Sequence, residues 1–125
     1  MILLVDAHAL LWWLGDDPAL TEPARSAIAD PTNDVFVSAA TIWELAIKRA
    51  VGKLELVAGL PDVVQEAGFA GVPVTMDDAW TAAALPAHHR DSFDRMLIAQ
   101  ATRLGAVIVT RDSAFAAYEV AVLPA

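Results

Sequence analysis

Cysteine is absent from this chain of 125 residues. No disulfide, thiolate zinc site or cysteine nucleophile is available. The absence fits a reducing compartment, so a cytoplasmic location is expected. Cations are scarce: 8 Lys and Arg stand against 16 Asp and Glu, a formal net charge of -8. That excludes a uniformly basic nucleic-acid surface. A local basic rim stays open, because Arg90, Arg95, Arg103 and Arg111 fall in one short stretch. Long apolar runs are missing too. The longest stretches without a charge, 67–76 and 79–89, fall well short of the roughly 20 apolar residues of a membrane span, so no membrane association is expected. Asp6 interrupts the first apolar run and no basic segment precedes it, which argues against a signal peptide. The chain also lacks a P-loop, a Gly-x-Gly-x-x-Gly fingerprint and a Gly-x-Ser-x-Gly nucleophile elbow.

Apolar material is plentiful. Hydrophobic residues make up 57% of the chain and charged residues 19%, which is incompatible with disorder. The length suits a single domain over 1–125. Five runs rich in Val, Ile and Leu barely alternate: Ile2 to Val5, Val35 to Ser38, Val72 to Thr75, Ala106 to Thr110 and Val120 to Leu123. Such runs suit strands buried on both faces of a parallel sheet. Helical segments separate them: Ala7 to Leu14, Glu22 to Ala29, Ala39 to Ala50, Leu60 to Ala67, Asp77 to Leu85, Ser92 to Leu104 and a short Ser113 to Tyr118. Pro23 and Pro61 suit first turns, and Gly105 suits a C-terminal stop. The alternation predicts an α/β domain. The first helix carries Leu10, Leu11, Trp12, Trp13 and Leu14 in succession, so it is either wholly buried or offers a side to a partner.

Ligands of parallel α/β sheets sit beyond the carboxyl ends of the strands. Four acids fall at that edge: Asp6 after the first run, Glu44 in the helix after the second, Asp94 in the first turn of the long helix, and Asp112 after the fourth run. Each has a plainer explanation. Asp6 and Asp112 can cap the helices that follow them, Thr41 and Glu44 fit a capping box, and Asp94 suits a helix dipole, with Asp91 as the N-cap. Capping does not account for the apolar strand before Asp6 or the apolar helix after Asp94, which would partly desolvate both. Two carboxylates 4 Å apart repel by about 4 kcal/mol at an effective dielectric of 20. Four in one cleft must take up protons, recruit cations or bind a metal. An all-oxygen cage selects a hard ion, Mg²⁺ or Mn²⁺. A hard divalent ion at an open cleft suggests phosphodiester hydrolysis.

The four motifs are Leu3-Leu4-Val5-Asp6-Ala7-His8, Ser38-Ala39-Ala40-Thr41-Ile42-Trp43-Glu44, the run from His88 to Ala101 that contains Asp91-Ser92-Phe93-Asp94-Arg95, and Val109-Thr110-Arg111-Asp112. Together, over nearly the whole chain, they resemble PIN-domain proteins, specifically the VapC-type toxins of bacterial toxin–antitoxin pairs. The resemblance implies a three-layer α/β/α sandwich around a mainly parallel five-stranded sheet. It implies a Mg²⁺- or Mn²⁺-dependent ribonuclease that arrests translation, with Asp6, Glu44, Asp94 and Asp112 as catalytic and metal-binding residues. Ser38 and Thr110 occupy positions where the family often carries hydroxyls. The resemblance also implies a structured or tRNA-like RNA substrate, a cognate VapB-type antitoxin and a toxin homodimer.

Other residues carry weaker expectations. His88 and His89 are adjacent and do not share a face, so a two-histidine metal site is disfavoured and a solvated loop preferred. His8 is expected to be packed or hydrogen-bonded. Trp43 and Trp80 are expected in the core. Arg95 and Arg111 each follow a candidate ligand, so each reads either as a salt bridge to the acids or as a phosphate contact. Lys48, Arg49 and Lys53 suit a helix C-terminus. A competing function is a PIN-fold binding module for RNA or a protein, without catalysis. A receiver-like signalling domain is disfavoured, because Met76 separates the middle strand run from Asp77 and no Lys follows Lys53.

Overall fold

A computed structural model describes residues 1–125. Five strands, β1 (Ile2–Val5), β2 (Asp34–Ser38), β3 (Ala70–Val72), β4 (Val107–Thr110) and β5 (Ala121–Pro124), form one sheet in the order β3-β2-β1-β4-β5. Every pairing is parallel, so the sheet is wholly rather than mainly parallel. The helices are α1 (Ala7–Leu14), α2 (Glu22–Ala29), α3 (Ala39–Ala50), α4 (Leu60–Glu66), α5 (Met76–Ala84) and α6 (Ser92–Leu104), with a 3₁₀ turn at Ser113–Ala117. The chain runs outward from β1 through β2 to β3, then returns to place β4 on the other side of β1. The carboxyl ends of β1 and β4 therefore border the crevice where the winding direction reverses.

Side-chain alternation along β1 builds two cores. Leu3 and Val5 point to a cluster with Leu10, Ile28, Leu45 and Val64, contributed by α1, α2, α3 and α4. Leu4 points to the opposite face, among Leu97, Ile98, Ile108 and Phe115. Both faces of β1 are dry, which is why its sequence reads as a continuous apolar run. The result is a helix–sheet–helix sandwich. In α1, Ala7, Ala9 and Leu10 are buried, and Leu11 to Leu14 are partly buried against the first core. Burial thus absorbs most of the apolar surface of this helix, and Trp13 packs on Phe69.

Three expectations are corrected. The third strand is Ala70–Val72, not Val72 to Thr75, because Thr75 is the N-cap of α5. The capping box expected at Thr41 and Glu44 is not formed: Ser38 caps α3, accepting from the Ala40 N–H, and Thr41 is buried. A reciprocal box does occur at Thr75 and Asp78. Trp43 and Trp80 are not in the core. They are 63% and 82% exposed, and Trp43 meets Phe93 edge to face at 5.3 Å.

Asp78 also ties two helices together. Its carboxylate, 2% exposed, accepts from Arg103 Nε at 2.8 Å and from a second guanidinium nitrogen at 2.9 Å. The Arg103 hydrogen bonds hold the Asp78 carboxyl below its ordinary value of 3.8. A depressed carboxylate stabilises the fold above its unfolded value, and the contribution fades as pH falls through the folded value. Asp78→Asn is therefore expected to cost about 1.5–3 kcal/mol at neutral pH, with the deficit shrinking below pH ~4. Urea unfolding at both pH values checks this, and equal stability at neutral pH would contradict it.

Candidate functional site

At the crevice between β1 and β4, a cleft of about 460 Å³ is lined by Asp6, Glu44, Asp91, Asp94 and Asp112, together with His8, Lys48 and Arg111. All four sequence-predicted acids are brought together, and Asp91 joins them. The capping explanations are not alternatives to this convergence, because capping is how several of these side chains are aimed.

Asp6 follows the last residue of β1, and its backbone N–H donates to Val109 O on β4. The carboxylate is only 6% exposed, and its Oδ1 accepts from the Ala9 N–H at 2.9 Å. Burial pushes its pKa up, opposed chiefly by a hydrogen bond from the Thr110 side chain. Asp112 caps the 3₁₀ turn through Oδ1, accepting from the Ala114 N–H at 2.9 Å. That bond, helped by His89, holds its pKa down. Glu44 lies farther along α3 and pairs with Lys48 at 3.0 Å in the favourable i, i+4 order. Asp91 caps α6, its Oδ1 accepting from Phe93 N–H and Asp94 N–H.

Asp94 stands against the most negative surroundings. Burial, then the charge of Asp91, push its pKa up to about 7, with Glu44 and Asp6 adding to the repulsion. His89 works in the other direction. Its Nε2 lies 2.8 Å from Asp94 Oδ2 and 3.0 Å from Asp112 Oδ2. Its Nδ1 accepts from the Asp91 N–H. A ring that accepts at Nδ1 carries its proton on Nε2, so the backbone selects the tautomer that donates toward the two acids.

Sequence reasoning missed His89. The adjacent-residue argument was sound as far as it went: His88 diverges to pack edge to face on Tyr118 at 5.2 Å. It did not consider that one histidine could act alone. The available signal was its position two residues before a capping Asp. His89 is not a solvated loop residue, since its side chain is 14% exposed and its ring meets Phe115 edge to face. Tyr118 OH accepts from His89 N–H and donates to Pro86 O.

Arg95 supplies the rest of the support. It forms no salt bridge with the acids. Its guanidinium donates to the carbonyls of Ala82, Ala83, Leu85, Pro86 and His89 at 2.7–3.2 Å. It thereby satisfies the open C-terminus of α5 and pins the segment that carries His89. Neither role expected for Arg95 is the one it has.

Among these acids, the Nε2 of His89 and one oxygen each of Asp94 and Asp112 lie within 4.8 Å of one another. Two carboxylate oxygens and one ring nitrogen, with Asp6 and Glu44 lining the same cleft and the Asp94 carboxyl pushed up to about 7 by burial and then by its neighbours' charge, fit a divalent cation.

The PIN-domain family model matches residues 3–121. The chain belongs to the PIN-domain family. Comparison with curated proteins gives no match. Among solved structures, this PIN domain is similar to VapBC2 from Rickettsia felis bound to a promoter DNA fragment (TM-score 0.71, 13% identity, 98% of each chain). It is also similar to a toxin–antitoxin complex from Klebsiella pneumoniae (TM-score 0.67, 19% identity, 97% of this chain and 95% of that one). A third is FitAcB from Neisseria gonorrhoeae (TM-score 0.57, 22% identity, 99% of this chain and 97% of that one). At these identities the likeness is one of fold.

The raised pKa of Asp94 has a consequence for this PIN domain without metal. Between the ordinary 3.8 and about 7, the folded state holds a proton that the unfolded state has released. Stability therefore falls as pH rises through that window, and the full cost is present above it. Asp94→Asn removes the repulsion but also weakens the contact with His89. The expected net effect in chelator is stabilisation on the order of 2 kcal/mol near pH 8 and almost none near pH 4. Thermal unfolding at the two pH values measures it. A variant less stable than the parent near pH 8 would show that the cleft's acids are not in conflict.

Proposed function

We propose that this PIN domain is a divalent-metal-dependent endoribonuclease, the toxin of a VapC-type toxin–antitoxin pair, neutralised by a cognate antitoxin. One observation carries the reading. Acids from four separated segments line a single cleft at the sheet's switch point, with too few cations to neutralise them. A binding module without catalysis has no need to sustain that repulsion.

Asp6, Glu44, Asp94 and Asp112 would hold Mg²⁺ or Mn²⁺. The chemistry such an ion supplies is polarisation of a phosphoryl oxygen and acidification of a water. The protein's own contribution is to hold the donors still. Backbone amides fix one oxygen each of Asp6 and Asp112. His89 keeps Asp94 and Asp112 together, and Asp94, protonated near neutrality, is poised to exchange its proton for a cation.

RNA is the preferred substrate because of family and neighbours alike: PIN domains are generally nucleases, and the fold neighbours are toxin–antitoxin complexes. Arrest of translation, a homodimer and a cytoplasmic location belong to the same proposal. No helix is long and apolar enough to cross a membrane.

Cleavage of RNA is expected with Mg²⁺ or Mn²⁺, to stop in excess EDTA and to weaken at acidic pH, where carboxylates are protonated. Asp6→Asn and Asp94→Asn should each lower kcat/KM at least about a hundredfold and abolish growth arrest on expression in a bacterial host. Undiminished activity in excess chelator, or equal toxicity of both variants, would refute the site.

A further inference from the structure

Arg111 is the cleft-lining arginine, and it has no anionic partner. It lies between Thr110 and Asp112 and lines the same cleft as five carboxylates. Coulomb attraction alone would fold it onto one of them. Instead it makes no ion pair and no side-chain hydrogen bond, and its guanidinium carbon sits 5.0 Å above the ring of Trp12. Trp12 is supported from its own helix by His8, four residues earlier, with ring centroids 5.8 Å apart. Arg25, Arg95 and Arg103 show the contrast, whereas Arg49 and Arg90 also have no side-chain partner but do not line the cleft. Arg25 is spent on Asp16, Arg103 on Asp78, and Arg95 on five backbone carbonyls. Arg111 keeps all five N–H donors available at the mouth of the cleft.

The same edge continues away from the acids. A neighbouring depression of about 280 Å³ shares Ala7, His8 and Lys48 with the cleft and adds Lys53 and Leu54. Arg111 in the cleft and Lys53 in the depression beside it therefore have no carboxylate partner, whereas Lys48, which lines both, is held on Glu44.

We infer that Arg111 is a phosphate clamp of the RNA substrate, held open by Trp12, and that Lys53, in the depression beyond His8, extends it into a track for the strand flanking the scissile bond. The planar fork of a guanidinium matches a phosphate's two oxygens, whereas a carboxylate partner would block it. Stacking on an aromatic face orients the fork without consuming its donors. Arg111 is thus a substrate-positioning residue. This inference rests on the nuclease reading of the adjacent acids.

The test measures binding apart from chemistry. Fluorescence anisotropy of a labelled single-stranded RNA in EDTA, across a salt series, is compared for the parent, Arg111→Ala, Arg111→Lys and Trp12→Leu. Arg111→Ala is expected to weaken binding about tenfold for every sequence and to reduce the salt slope by about 0.7, the contribution of one phosphate. Arg111→Lys should restore the slope but only part of the affinity. Trp12→Leu, which keeps apolar bulk in the core, should lose affinity while leaving the slope nearly intact. In steady-state cleavage with Mn²⁺, Arg111→Ala should raise KM about tenfold with kcat within about twofold. The Mn²⁺-induced shift in Tm should be unchanged in all three variants, which separates clamping from metal binding. If the parent cleaves RNA and Arg111→Ala matches it in affinity, slope and KM, the clamp is wrong and the nuclease reading stands. If the parent neither binds nor cleaves RNA, both fall together.

Discussion

The constraint on which this molecule turns is the confinement of like charge. Five carboxylates share one cleft, and burial, joined by their mutual repulsion, pushes the pKa of Asp94 up to about 7. A fold tolerates such a cluster only where the surrounding structure over-determines the side chains. Here it does. Asp6 is locked by the first turn of α1, Asp112 by a 3₁₀ turn, and Asp91 by α6. Helix N-termini bring backbone N–H groups to the edge where the acids converge, and their dipoles favour negative charge. Capping and site-building are therefore one arrangement: the same hydrogen bond that starts a helix points a carboxylate inward.

The support extends one layer further out. His89 would lose its aim if the segment between α5 and α6 relaxed. Arg95 and Tyr118 prevent that, one donating to five carbonyls and the other bridging His89 N–H to Pro86 O. The long side chain of Arg95 runs away from the acids it follows in sequence. Its charge goes to an open helix end rather than to the cleft, so the conflict among the acids is left to His89 and Lys48.

Most of the architecture could be read from the sequence because burial leaves a plain signature. The apolar runs of β1 and β2 and the bounds of α1, α2, α3 and α6 follow from punctuation by Asp6, Pro23, Ser38 and Gly105. The third strand was misplaced because Val72 to Thr75 has strand-like composition, while Thr75 and Asp78 compete for it through a reciprocal cap. Trp43 and Trp80 were misread because size and apolarity say nothing about which side of a helix faces out. The four acids were legible through their shared sheet edge. His89 was not, because its role depends on a loop path set by Arg95 and Tyr118, contacts that sequence spacing does not encode. The basic rim that the sequence left open in the C-terminal third is present only in part, for the same reason: Arg95 and Arg103 are used structurally, while Arg111 lines the cleft together with Lys48 of α3.

That redistribution explains how a chain with twice as many acids as bases can be read as a nuclease. Affinity for a polyanion depends on where cations stand, not on their sum. The excess acid is concentrated in the cleft, where a divalent ion reverses the local sign of the field. Arg111 lines that cleft without a carboxylate partner, and Lys53 lines the depression beside it. A strand approaching from that side meets Arg111 first, and the acids only once their charge is compensated. Low total basicity then becomes a source of selectivity: without the ion the acids repel the scissile phosphate while Arg111 still holds the flanking strand, so chemistry, rather than binding, is tied to the loaded site.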